Sequence, residues 1–130
     1  MKHILIDTNV YSAFMLNQPE VVDVLSIANK IVICPTVMGE LLAGFKNGSK
    51  EKKNRAELDA FLDISNVSEI NIDFETSEFY AEIYRSLRAK EKPIPSNDLW
   101  IAASALQHGL AVFTLDAHFT VIDGLLLANL

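Results

Sequence analysis

Short apolar runs alternate with amphipathic stretches along the chain, and each pattern predicts its own kind of element. Ile4 to Ile6, Ile31 to Cys34 and Ala111 to Thr114 are brief, continuous and rich in β-branched side chains, which predicts strands. Glu69 to Ile72 predicts a weaker strand, and a Leu-rich stretch near Leu125 to Leu127 predicts a fifth. Between these runs the apolar positions recur three or four apart. Val21, Val24, Leu25 and Ala28 make one helical face, entered through Pro19 as a first-turn proline. Val37, Leu41 and Phe45 make a second, Leu58, Phe61 and Leu62 a third, and Phe79, Ile83 and Leu87, beside Tyr80 and Tyr84, a fourth. Leu99 to Leu106 is apolar nearly all round, which predicts a buried helix. Continuous apolar strands separated by helices imply an α/β chain with a mostly parallel sheet covered on both faces.

Composition narrows the class. With 130 residues, half of them hydrophobic, 5 Gly and 4 Pro, the chain fits one domain over residues 1–130, without repeats or linkers, and disorder and collagen are excluded. The single Cys34 cannot form an internal disulfide and suits a reducing cytosol. Met1-Lys2-His3-Ile4-Leu5-Ile6-Asp7 reaches a carboxylate after three apolar residues, so no secretory leader is expected. No apolar run approaches membrane-spanning length. The expectation is a soluble cytoplasmic protein with no membrane partner.

The net charge of −6 argues against nucleic acid, because phosphate affinity comes from clustered Lys and Arg. The distribution softens that argument. Nine of the eleven basic residues fall in Lys46 to Arg55 and Arg85 to Lys92. In the first segment Glu51/Arg55, Lys53/Glu57 and Arg55/Asp59 at i,i+4 also read as a solvated helix face.

The carboxylates carry the chemistry. Asp7 ends the first strand and Asp116 follows the fourth, and the carboxyl ends of strands in an open parallel sheet face the ligand crevice. At 100° per residue from Thr36, Glu40 lies just off the arc of Val37, Leu41, Leu42 and Phe45, with Gly44 one turn on leaving space beside it. Asp98 opens the buried helix, where the macrodipole favours its ionised form. Singly, each acid has an ordinary explanation: a turn cap for Asp7, a dipole partner for Asp98, a solvent-facing Glu40, a loop Asp116. Together they suit a cation site. Hard oxygen ligands without a matching His or Cys set favour Mg²⁺ or Mn²⁺ over zinc, and such sites hydrolyse phosphodiesters.

Four motifs occur in order: Ile6-Asp7-Thr8-Asn9, Gly39-Glu40-Leu41-Leu42-Ala43-Gly44, Ile94-Pro95-Ser96-Asn97-Asp98-Leu99-Trp100-Ile101-Ala102-Ala103 and Thr114-Leu115-Asp116-Ala117-His118-Phe119. Through them the chain resembles the PIN-domain nucleases, most closely the VapC-type toxins of toxin–antitoxin pairs. The resemblance implies a PIN-like three-layer α/β/α fold and a metal-dependent endoribonuclease. It also implies an RNA substrate, a homodimer, and a small antitoxin seated in a groove near Lys46 to Leu62. Asp7, Glu40, Asp98 and Asp116 become the catalytic and metal-binding acids, with Asp7 and Asp98 the firmest ligands, Mg²⁺ the cofactor and Mn²⁺ its substitute. Thr8 and Asn9 would orient the first carboxylate and the substrate phosphate, and Thr114 would place a hydroxyl near the metal.

His118 could be a ligand or support one, but a histidine before Phe119 reads first as a packed loop residue; His108-Gly109 is expected to stop a helix, Asp73 to cap one, and Asp123-Gly124 to turn. Two alternatives remain. A receiver-like Mg²⁺-binding signalling domain would need a lysine near the acids and a central strand ending in Asp, whereas Ile31 to Cys34 ends at Pro35. A catalytically inactive, RNA-binding PIN relative would keep the fold without the chemistry.

Overall fold

The computed structural model describes residues 2–128. Four strands, β1 (His3–Ile6), β2 (Lys30–Ile33), β3 (Val67–Glu69) and β4 (Ala111–Phe113), form one parallel sheet in the order β3-β2-β1-β4. Six helices connect them: α1 (Thr8–Met15), α2 (Pro19–Ile27), α3 (Pro35–Asn47), α4 (Glu51–Leu62), α5 (Phe74–Ala89) and α6 (Ser96–His108). A 3₁₀ turn, Ala117–Val121, follows β4.

Successive side chains on a strand point to opposite faces, so consecutive buried residues require cover on both. Ile4, Leu5 and Ile6 are at most 1% exposed, and Ile31, Val32 and Ile33 are buried likewise. That burial accounts for the continuous apolar runs and gives the expected three layers. α5 packs along α6, and α6 also meets α3 and β4. Ile101, Ala102, Ala103 and Ala105 of α6 are fully buried, as an all-round apolar helix requires.

Strand order matters most for function. From β1 the chain moves outward through β2 to β3, then returns to add β4 on the other side of β1. The carboxyl ends of β1 and β4 therefore flank the point where the winding reverses, which is where open α/β sheets hold ligands. Register pins the two strands by pairing Leu5 with Val112 and Ile6 with Phe113. The Asp7 N–H then donates to the Phe113 carbonyl at 2.9 Å, which holds the first residue beyond β1 against β4.

Three expected strands shift. β2 stops at Ile33, and Cys34 is the buried residue before α3, because Pro35 opens that helix. β3 lies earlier than Glu69 to Ile72, since Val67 pairs with Ile31 and Glu69 with Ile33, leaving only an Ile70 N–H to Ile33 bond beyond it. Leu125 to Leu127 contributes one isolated parallel bridge, Val112 to Leu127, in place of a strand. The helix α1 has no counterpart among the expected elements. Local stops behave as read: Asp73 and Thr76 form a reciprocal cap on α5, and Gly109 closes α6 in the left-handed region at φ +65°.

Candidate active site

Asp7 is held at the start of α1 by two donors. Its Oδ1 accepts the Thr8 N–H at 2.7 Å and its Oδ2 accepts the Thr114 hydroxyl at 2.7 Å. The side chain is buried, and burial is the main cause that pushes its carboxyl above the usual range. The bonds from Thr114 and Thr8 pull the other way, while Asp98 and Glu40 push upward through repulsion.

Glu40, on α3, reaches the same edge. Its Oε1 accepts the Thr8 hydroxyl at 2.6 Å and its Oε2 accepts the Asn97 amide at 3.2 Å. A Cβ at Gly44 would meet nothing within 4 Å, so space stays open one turn beyond Glu40.

Asp98, in the first turn of α6, is partly buried, and burial is the largest cause raising its carboxyl. Asp116 and Glu40 add repulsion, while the hydrogen bond and charge of His118 oppose it. Asp116 caps the 3₁₀ turn: its Oδ1 accepts the His118 N–H at 2.9 Å, and its own N–H donates to the Thr114 hydroxyl at 3.0 Å. One threonine side chain thus links Asp7 to Asp116.

All four sequence-expected acids converge on this strand edge. Thr8 and Thr114 both donate to carboxylates, the Thr8 N–H and the Thr114 hydroxyl to Asp7 and the Thr8 hydroxyl to Glu40. Asn9 does not: its Oδ1 accepts the Leu115 N–H at 3.1 Å, so it anchors the loop after β4 and leaves Asp7 to Thr8 and Thr114.

His118 is the residue that sequence reasoning misplaced. It is half-exposed, and its Nδ1 lies 3.0 Å from Asp98 Oδ2 and 3.1 Å from Asp116 Oδ2. The signal was Asp-x-His: an Asp accepting the backbone N–H two residues on makes an Asx turn, which folds the third side chain back toward the carboxylate. Phe119, fully buried, is the packed loop residue in its stead. Ligand atoms of Asp98, Asp116 and His118 all lie within 4.8 Å of one another. Four carboxylates, two of them raised by burial and mutual repulsion, form an oxygen-rich donor set that a hard divalent cation would stabilise.

A parallel α/β sheet whose reversal point gathers four acids defines the class, and the chain belongs to the PIN domain family, matched over residues 4–125. Its curated relatives are named ribonucleases. It is 32% identical over 85 residues to Ribonuclease VapC4 of Mycobacterium tuberculosis, a match spanning 65% of each protein and so just short of two thirds of that relative. It is 23% identical over 120 residues to Ribonuclease VapC5 of the same organism, covering 92% of this chain and 87% of VapC5. Among solved structures, VapBC2 from Rickettsia felis, bound to a DNA fragment from its promoter, is similar with a TM-score of 0.86 and 28% identity over 97% of both chains. No helix among the described residues is long and apolar enough to cross a membrane.

Proposed function

We propose that this protein is a Mg²⁺-dependent endoribonuclease, the toxin of a toxin–antitoxin pair, acting in the cytoplasm. The observation that carries the reading is the convergence of Asp7, Glu40, Asp98 and Asp116 at the β1/β4 edge. The donors fit the ion: hard carboxylate oxygens, with Asp7 and Asp98 raised first by burial and then by neighbouring acids, a repulsion that His118 offsets only in part at Asp98. Asp7, Asp98 and Asp116 would hold it, with Glu40 alongside. A divalent cation bound there would neutralise charge on the scissile phosphate and activate water for in-line attack, leaving a 5′-phosphate and a 3′-hydroxyl.

The protein's own contribution is orientation. The Thr114 hydroxyl and the Thr8 N–H fix the Asp7 carboxylate in one rotamer, and Thr8 and Asn97 do the same for Glu40. Little reorganisation is then needed when substrate arrives. Asn9 supports the same geometry indirectly by holding the loop that carries Asp116.

The antitoxin reading draws support from a groove of about 250 Å³ lined by Tyr11, Met15, Leu16, Phe45, Asn54 and Glu57. It lies between α1, α3 and α4, beside the Lys46 to Leu62 region. Leu16 is 75% exposed at its rim, as an apolar side chain awaiting cover would be. The homodimer is proposed on the family resemblance and on further exposed apolar side chains, Ile27 and Phe74 among them. The receiver-like alternative lacks its lysine: among the described residues His118 is the basic group ion-paired with these acids.

The test is RNA cleavage with and without divalent ions. Cleavage is expected to need Mg²⁺ or Mn²⁺ and to fall by about 10²-fold or more in Asp7→Asn and Asp98→Asn, since a metal's charge stabilisation amounts to several kcal/mol. Activity that persists in EDTA, or in either variant, refutes the metal mechanism. Purified wild type inert towards RNA in the presence of Mg²⁺ and Mn²⁺ would favour the inactive RNA-binding relative.

A further inference from the structure

We propose that His118 joins Asp98 and Asp116 in a mixed imidazole–carboxylate cation position that favours a first-row transition ion such as Mn²⁺ over Mg²⁺. The inference rests on the metal-dependent reading above and adds a nitrogen ligand to it.

The geometry separates the four acids into two pairs. Both oxygens of Asp7 and both of Glu40 already accept hydrogen bonds from Thr8, Thr114 and Asn97. Asp98 and Asp116 differ. His118 is the side chain that faces both, with one nitrogen 3.0 Å and 3.1 Å from their Oδ2 atoms. Neighbouring ligands of an octahedral ion with bonds of about 2.1 Å stand about 3.0 Å apart, and opposite ones about 4.2 Å. The three ligand atoms here lie within 4.8 Å of one another, so small side-chain adjustments bring them into that range.

The position of His118 is also built. Its N–H is fixed on Asp116 Oδ1, the next residue Phe119 is fully buried, and the half-exposed ring retains room to adjust. Asp116 Oδ1 is thereby occupied by backbone, while Oδ2 faces the imidazole. Mg²⁺ gains little from exchanging a water for an imidazole nitrogen, because it prefers oxygen. Transition ions gain substantially. A nitrogen in the set therefore acts on choice of ion, and its removal should affect the two ions unequally.

The experiment uses metal-free full-length protein titrated calorimetrically with Mn²⁺ and with Mg²⁺, with electron spin-echo modulation on the Mn²⁺-loaded sample. Wild type should bind Mn²⁺ more tightly and show ¹⁴N modulation from a coordinated imidazole. In His118→Gln the modulation should vanish, Mn²⁺ affinity should fall about tenfold or more, and Mg²⁺ affinity should change by less than about twofold. His118→Asn, measured beside it with a melting curve of each metal-free variant, guards against a folding defect specific to one substitution.

Equal losses for both ions would overturn the proposal by making His118 a general support of the acids. Equal gains would overturn it too, identifying the imidazole as a resident competitor for the ion's place. Mn²⁺ bound to wild type without ¹⁴N modulation would sink the nitrogen ligand alone and leave the metal-dependent nuclease standing. Failure of wild type to bind either ion would remove both readings together.

Discussion

Asp7 and Asp98 have carboxyls raised above their ordinary range, and in both the first cause is burial, with neighbouring acids adding to it. For such a group the folded state holds the proton more tightly than the unfolded chain. The resulting penalty is absent below the unfolded pKa, near the ordinary value of 3.8, and grows as pH rises through the folded one. Metal-free protein should therefore gain stability on mild acidification from neutral pH. Asp73 runs the other way: bonds from Gln107 and Thr76 hold its carboxyl low, so its contribution is present above the unfolded pKa and lost as pH falls through the folded one. Asp98→Asn should raise the metal-free melting temperature at pH 7 and shrink the gain seen at pH 5, with chelator present throughout. Wild type should also gain about 2.7 kcal/mol at a hundredfold excess of divalent ion over Kd, and Asp98→Asn should lose that response. Melting curves insensitive to both pH and metal would mean that the acids do not share a site.

At the scale of elements, α6 brings Asp98 to the sheet edge, and its two ends are held by different devices. Asp98 occupies its first turn, where the helix dipole favours a carboxylate, but burial and the neighbouring acids outweigh that and raise its carboxyl. Gly109 ends it at φ +65°, with the Leu110 N–H returning to the Ala105 carbonyl at 2.9 Å. A Cβ at Gly109 would meet nothing within 4 Å, so substitution there costs backbone conformation alone. Gly109→Ala should destabilise by about 1 kcal/mol, read from urea unfolding with an unchanged m-value. A markedly larger loss would mean the helix stop also sets the packing of α6. α5 is tied to the same helix, since Gln107 of α6 donates to Asp73 at 3.0 Å. The cap of one helix is thus completed by its neighbour.

For the whole molecule, the proposed action on RNA requires local positive charge on a chain whose net charge is −6. Pairing divides the nine basic residues of the two clusters. Lys46 and Arg55 meet Glu51, Arg85 meets Glu82 and Lys90 meets Asp123, whereas Lys50, Lys52, Lys53, Arg88 and Lys92 make no ion pair among the described residues. Exposed pairs contribute little to stability. The unpaired set is the better candidate for binding phosphate. Replacing Lys50, Lys52 and Lys53 by Gln should weaken RNA binding and reduce the log–log salt slope by about 0.7 for each phosphate no longer neutralised. An unchanged slope would return these lysines to the role of a solvated helix face.

Periodicity alone determined the parallel α/β architecture, five of the six helices and the core strands β1, β2 and β4, because burial on one face or two leaves a repeat that can be read locally. It also placed Asp7, Glu40, Asp98 and Asp116 correctly relative to their elements. It missed α1, where Asp7-Thr8-Asn9 reads as a turn, although Val10, Tyr11 and Ala13 bury the face that makes it a helix. It set β3 too late, since three residues gain strand identity only by pairing with β2. Tertiary structure alone decided which side chains meet. Thr114 bonds Asp7 across 107 positions, Asn97 bonds Glu40 across 57, and Asn9 takes a backbone N–H instead of a carboxylate. His118 read first as a packed loop residue from its place before Phe119, with a ligand role as the alternative, and it joined the site through the turn that Asp116 caps and the helix that delivers Asp98. A local pattern records which face of an element is buried. The meeting of distant side chains depends on strand order and register, which hydrogen bonding between strands decides only when the sheet assembles.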